Sequence, residues 1–287
     1  MFGKNNCGKS TLLESIFLLA GQSNPTIPVA LNLLRGYNKT DEKDLFLNFH
    51  NLNIDNPIII SSQEEIKREL NISLFESYSN KVDIDNLKNN ISNNRDGYYG
   101  IKMNYSVGVQ AYHSKIIFQE NHENQENQEK KQQPKVDKDK RYKEIIFCKY
   151  FPAKYEDKFA IIGLQEIIQN TKENLILEVL KIIEPTIKDI QIIGDDIFVG
   201  VDGLDRRMPI NVMGDGIRKL LSILSSIYEC RSTEERQGVL LIDEIDNGFH
   251  YSVMKKIWRA ILNSAKRNNT QIFATTHNID SIKGFNE

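Results

Sequence analysis

Leu12, Leu13, Ile16, Phe17 and Ala20 recur at three- and four-residue spacing, which predicts an amphipathic helix almost at the start of the chain. Glu14 lies inside that apolar run, and Gly21-Gln22 ends it without a small-x-small cleavage site, so a secretory leader does not fit. From Asn24 to Asn53 the pattern is mixed. Pro57 to Ser61, Leu70 to Leu74, Tyr98 to Val109 and His113 to Phe118 are short, rich in Ile, Tyr and Val, and separated by Asn, Ser and Gly. They predict strands of an antiparallel patch. Gln119 to Lys140 holds one weak apolar residue, Val136, too little to offset its ordering entropy, and predicts a disordered surface insertion. Phe159 to Glu184 has helical period throughout and is stopped by Pro185. Ile190 to Ile193, Ile197 to Val201 and Met208 to Val212 predict strands joined by turns at Gly194 to Asp196 and Asp202 to Asp205. A helix from about Gly216 to Cys230, a strand at Val239 to Ile242, a helix from Tyr251 to Arg267 and a strand at Thr270 to Thr275 complete the pattern. That alternation marks an α/β fold with a mainly parallel core sheet beside the antiparallel strands and a helical part.

Composition narrows the function classes. In 287 residues, 37 Lys and Arg balance 39 Asp and Glu, a net charge of −2, which gives no global case for coating nucleic acid. Lys138, Lys140, Arg141, Lys143 and Lys149 form one loosely basic run, which reads as a solvated segment or as a nucleic-acid contact. No apolar run approaches the ~18 residues of a membrane helix. Cys7, Cys148 and Cys230 are widely spaced with no Cys-x-x-Cys pair, which fits a reducing, cytoplasmic setting rather than a disulfide scaffold or zinc site.

Four short segments carry chemistry. Gly3-Lys4-Asn5-Asn6-Cys7-Gly8-Lys9-Ser10-Thr11 matches a phosphate-binding loop. Its backbone N–H groups would surround phosphate oxygens at the positive end of the following helix. Lys9 would reach the β and γ phosphates of a nucleotide, and the Ser10 hydroxyl would ligate Mg²⁺. Val239-Leu240-Leu241-Ile242-Asp243-Glu244 describes a buried strand delivering two carboxylates at its carboxyl end, Asp243 for the Mg²⁺ shell and Glu244 as general base. Thr275-Thr276-His277 follows the next strand, 33 residues after Glu244, where a parallel neighbour would bring His277 beside the γ-phosphate. Met213-Gly214-Asp215-Gly216 opens a helix with Ile217, Leu220, Leu221, Leu224 and Ile227 on one face. Its amides would bind an anion, or Asp215 would simply cap the helix.

In order, these segments resemble the ABC-type ATP-binding heads, nearest the bacterial AAA-family ATPases of the ABC-like branch, with the OLD, RecF and SMC-type heads. The residues carrying the resemblance are GKNNCGKST, NVMGDGIRKLLSIL, VLLIDEIDNGFH and FATTHN. It implies an ABC-ATPase-like P-loop NTPase head, with Walker A at Gly3 to Ser10, a signature-like helix start at Gly214 to Gly216, Walker B ending at Asp243, the base Glu244 and a switch His277. It also implies ATP hydrolysis and a homodimer closed by ATP, with Asp246 and Asn247 in the segment between subunits. The expected setting is DNA maintenance or phage defence. The alternative is a nucleotide-gated module that controls a partner nuclease or toxin with little turnover. A P-loop kinase fits less well, because no second substrate site is evident.

On this basis residues 1–287 form one head. Residues 1–118 carry the P-loop, 119–141 the insertion, 142–213 the helical and antiparallel part, and 214–287 the signature-like helix, Walker B and switch His. Two departures stand out. Val212-Met213 precede Gly214 where transporters have Leu-Ser, and no glutamine between Asn53 and Gln110 identifies a Q-loop. The resemblance further implies a strand ahead of the loop, yet only Met1 and Phe2 precede Gly3, and ten residues follow His277. The expectation is a truncated chain whose sheet has a gap and whose loop is poorly anchored.

Overall fold

Gly238 to Ile242 is apolar at every position, as a strand covered on both faces requires, and it becomes the centre of a parallel sheet. The computed structural model describes residues 7–37, 45, 47–49, 53–63, 66–78, 97–119, 133–154 and 157–286. They fall into two compact units, residues 1–17 with 145–287, and residues 18–144.

In the first unit, β6 (Ile146–Phe151), β10 (Gln237–Ile242) and β11 (Thr270–Ala274) pair in parallel in the order β11-β10-β6. Sequence patterning missed β6, whose alternation is broken by Lys149. That ammonium is held by the Glu229 carboxylate at 2.5 Å and the Phe159 carbonyl at 3.1 Å, so a charged residue sits in a core strand. A second sheet has the order β7-β8-β9: β7 (Ile187–Ile193), β8 (Asp196–Val201) and the two-residue β9 (Met208–Pro209). The expected strand to Val212 is instead a 3-10 turn over Ile210–Val212, since Pro209 has no N–H for a ladder.

The single helix expected over 159–184 is also corrected. A 3-10 turn at Asp157–Ala160 leads into α3 (Ile161–Gln169), and α4 (Glu173–Leu180) follows. Thr171 takes φ +53 between them, with Thr171 N–H donating to the Ile168 carbonyl at 2.9 Å and Lys172 N–H to that of Ile167 at 3.0 Å. This pairing ends a helix as glycine ordinarily would, and a threonine there gives the sequence no stop signal.

Helix α5 (Asp215–Glu229) is buried almost all round. Its apolar stripe Ile217, Leu220, Leu221, Leu224 and Ile227 joins the core with Leu164, Leu180, Leu240 and Ile257. Helix α6 (Met254–Arg267) also packs there through Ile257, Trp258 and Ile261, and α7 (Ile279–Asn286) follows β11. The opening helix is α1 (Lys9–Ala20); Leu13 is fully buried, but Leu12, expected on the same face, is half exposed.

Cys230 follows α5 and is fully buried, and burial pushes its thiol up to about 12. Alkylation needs the thiolate. Maleimide at pH 8 should therefore label exposed Cys7 in the native chain and Cys230 only after denaturation, as peptide mass spectrometry would read. Native labelling of Cys230 at the rate of Cys7 would contradict this burial.

The second unit contains α2 (Ile27–Leu34) and a five-stranded antiparallel sheet, β1 (Ile58–Ser62), β2 (Arg68–Tyr78), β3 (Gly97–Val107), β4 (Gln110–Gln119) and β5 (Lys135–Lys138) in sequential order. Leu70, Ile72, Ile101, Met103 and Ile116 line its buried face. Part of the expected disordered insertion is corrected by β5, which pairs Ile117↔Lys135 through Ser114↔Lys138. All four of its residues are exposed, so the backbone ladder, rather than side-chain burial, holds this edge strand. Residues 120–132 of that insertion lie outside the described residues. Arg141, from the basic run, donates to both oxygens of Asp139, whose carboxyl is held well below the usual range by those bonds.

Candidate functional site

Gly3, Lys4, Asn5 and Asn6 lie outside the described residues; Cys7 onward is described. Gly8 has φ +81, a conformation glycine adopts without penalty, and its carbonyl accepts the Leu12 N–H at 2.9 Å to begin α1. Lys9, Ser10 and Thr11 therefore form the first turn of the helix, where backbone N–H groups have no partner within the helix. The Lys9 ammonium lies 3.7 Å from the Cys7 sulfur.

The Ser10 hydroxyl donates to Asp243 Oδ2 at 2.8 Å. Two segments 233 residues apart thus meet at the carboxyl end of β10. Asp243 is 8% exposed, and its two oxygens also receive the hydroxyls of Thr275 at 2.5 Å (on Oδ1) and Tyr150 at 3.5 Å (on Oδ2). Its N–H donates to the Phe151 carbonyl at 2.9 Å. Parallel strands on either side of β10 thereby fix this carboxylate, Tyr150 and Phe151 from β6 and Thr275 from just beyond β11.

Glu244 departs from the strand at φ +49, a left-handed conformation that costs a non-glycine residue about 1–2 kcal/mol. Its backbone groups and one carboxylate oxygen are hydrogen-bonded. Its N–H donates to Thr275 Oγ1 at 2.9 Å, and its carbonyl accepts from Asn247 N–H at 3.1 Å and from Lys219 Nζ at 2.6 Å. Asn247 Nδ2 donates to the carboxylate Oε2, and His277 Nδ1 lies 3.9 Å from Oε1. Glu244 and His277 side chains remain 38% and 41% exposed, so the pair faces open solvent where a substrate could enter.

Gly214 is the N-cap of α5, and no side-chain hydrogen bond caps it; Asp215 instead pairs with Arg218 at 3.1 Å. Arg218 also grips Asp157 through Nη2 at 2.9 Å. A Cβ at Gly216 would lie 3.0 Å from the Gly248 carbonyl oxygen and 3.4 Å from the Phe249 ring, so the helix start abuts the segment after Glu244.

Ser10 thus meets Asp243, and His277 lies beside the next residue, Glu244. Sequence reasoning did not find Thr275, Tyr150 or Lys219. Lys219 lies on the side of α5 opposite its apolar stripe, where periodicity predicts solvent, yet it is 1% exposed. Burial lowers its ammonium to about 8, with Asp246, Glu244 and Asp243 opposing that fall. Among the described residues no group of three or more His, Cys, Asp or Glu is arranged to hold a metal ion by itself, and no helix is long and apolar enough to cross a membrane.

A family profile described as "AAA domain, putative AbiEii toxin, Type IV TA system" matches residues 1–282. A curated relative, "ATP/GTP phosphatase" of Helicobacter pylori (strain ATCC 700392 / 26695), is 31% identical over 86 residues, 29% of this chain and 22% of that protein. The matched segment therefore spans about a fifth of the relative's length. Among solved structures, an SMC head bound to the C-terminal winged-helix domain of ScpA is similar with a TM-score of 0.44 and 11% identity, over 99% of this chain and 82% of that one. The SMC head domain from Thermotoga maritima follows with a TM-score of 0.31 and 12% identity, over 66% and 67%.

Proposed function

The chain belongs to this AAA-domain family, and on that premise we propose that it binds ATP with Mg²⁺ and hydrolyses it, closing a homodimer while ATP is bound. The observation that carries the proposal is the 2.8 Å bond between Ser10 and Asp243 beside Glu244. A loop hydroxyl beside a strand-end carboxylate is an oxygen pair that would suit one hard cation. With no protein-only metal cluster among the described residues, Mg²⁺ would share its shell among Ser10, Asp243 and phosphate oxygens. When bound, it neutralises charge developing on the phosphates.

The chain's own residues supply the rest. The N–H groups opening α1, with Gly3 to Gly8 ahead of them, would bind phosphate oxygens, and Lys9 would bind the β and γ phosphates. Glu244 would take a proton from water as its oxygen attacks the γ-phosphorus and the bond to the β-phosphate oxygen breaks, giving ADP and phosphate. His277, 3.9 Å from that carboxylate, would sense the γ-phosphate, and Gly214 to Gly216 would cap it from a second copy. The relative's name supports a nucleotide phosphatase; a setting in DNA maintenance or phage defence rests on the sequence resemblance alone, and the cytoplasm as compartment on the cysteine pattern. The toxin–antitoxin wording also favours a second reading, in which nucleotide binding gates a partner toxin or nuclease with little turnover.

Phosphate release by the purified chain with ATP and Mg²⁺, and no acceptor, tests hydrolysis. Lys9→Ala should weaken nucleotide binding by about 10- to 100-fold, the loss of one hydrogen bond from a charged donor. Tight ATP binding without phosphate release would overturn hydrolysis and leave the gated module.

A further inference from the structure

Lys219 is the one residue of α5 whose charge is taken fully out of water and aimed at the segment after β10. Its Nζ donates to the Glu244 carbonyl at 2.6 Å, and it lies 5.9 Å from the centre of the Phe249 ring. Asp246, in the same segment, is 6% exposed, and its Oδ1 has no hydrogen-bond partner. Burying an ammonium is costly, and nothing about packing α5 requires one here, since Ser222 and Ser226 fill the same side of the helix. The contact falls on the carbonyl of a residue held at φ +49, a conformation that persists only where surrounding groups over-determine it.

We propose that Lys219 is a positioning residue: reaching from the helix that begins at Gly214–Gly216, it holds the Glu244 carbonyl and so fixes the direction of the Glu244 carboxylate. The inference rests on Glu244 acting as the base. It adds that the aim of this base depends on α5, so that whatever shifts the helix start, such as an anion bound there, also shifts the carboxylate. Asn247 then secures the side chain that Lys219 secures at the backbone.

Three measurements on the full chain test this. Lys219→Met keeps the stem and removes the donor. Hydrogen exchange should rise in the peptide covering 243–249 and stay unchanged in 237–242; unaltered exchange in 243–249 overturns the clamp. The turnover number should fall about 10- to 100-fold with nucleotide affinity unchanged, as when a catalytic group is misplaced. In the Glu244→Gln background the same substitution should have no further effect, and an equal fall there would mean that Lys219 acts elsewhere. Lys219→Met also leaves Asp246 buried and uncompensated, so the double variant Lys219→Met/Asp246→Asn provides a folded partner. Its melting temperature should recover while turnover stays low; recovery of turnover together with stability would reduce Lys219 to a structural role. If Glu244→Gln alone leaves turnover intact, the base assignment fails, whereas raised exchange in 243–249 would still report the contact.

Discussion

Glu244→Gln should lower ATP turnover by about 10²- to 10⁴-fold, the contribution of a positioned general base, while leaving nucleotide affinity and the fold unchanged. Glutamine is nearly isosteric with glutamate. Its amide oxygen still accepts from Asn247 Nδ2, and its backbone keeps the bonds to Thr275 Oγ1 and Lys219 Nζ, so the strained turn remains closed. Only the ability to take a proton is lost. With ATP and Mg²⁺ the variant should accumulate as a dimer on size-exclusion chromatography with light scattering, since binding proceeds and the step that releases it does not. Turnover within about twofold of the parent chain would remove Glu244 from the reaction. A fall in affinity matching the fall in rate would place it in binding instead.

Why the site was largely legible follows from the distances over which each of its parts is determined. Lys9 and Ser10 are set by a glycine at Gly8 and a helix directly after it, and Asp243 and Glu244 by a continuous apolar strand ending in two acids; both signals are contained in about ten residues. The direct contact of Ser10 with Asp243 is a finding of the structure, and it fits segments that each end at the ligand side of a parallel sheet. What escaped is set by partners distant in sequence. Lys149 conceals β6 because its charge is answered by Glu229, 80 residues later. Lys219 reads as a surface residue because α5 is buried on its polar side as well as its apolar one. The Thr171 break and the edge strand β5 depend on backbone hydrogen bonds that no side-chain pattern announces. Helix α2 was missed although signals were present, Pro28 in its first turn and Gly36 at φ +93 just past its end, because only eight residues separate the ends.

The largest effect on stability is expected at Gly238, the second residue of β10. A Cβ there would lie 1.4 Å from the Cys230 carbonyl oxygen, 2.6 Å from its carbon and 3.2 Å from the Arg231 carbonyl carbon. All three are backbone atoms, so no rotamer change relieves the overlap, and the close approach is available to glycine alone. Nor can the chain retreat. Cys230 N–H is held by the Ser226 carbonyl at 2.9 Å, Gly238 N–H by the Ser232 hydroxyl at 2.9 Å, and the Cys230 carbonyl also accepts from Thr270 Oγ1 at 3.3 Å. Gly238→Ala must therefore separate the end of α5 from the start of β10, at a cost upward of about 4 kcal/mol. That corresponds to a fall of about 10 °C or more in the melting temperature of a unit this size. Helix α5 carries Lys219 and β10 leads directly into Asp243–Glu244, so whatever folded protein remains should lose phosphate release along with stability. Gly214→Ala is the control: its Cβ would meet nothing within 4 Å, and the cost should stay below about 1 kcal/mol. Thermal unfolding of the two variants side by side decides the matter, and equal melting temperatures would mean that α5 and β10 do not meet as closely as the Cys230 carbonyl requires.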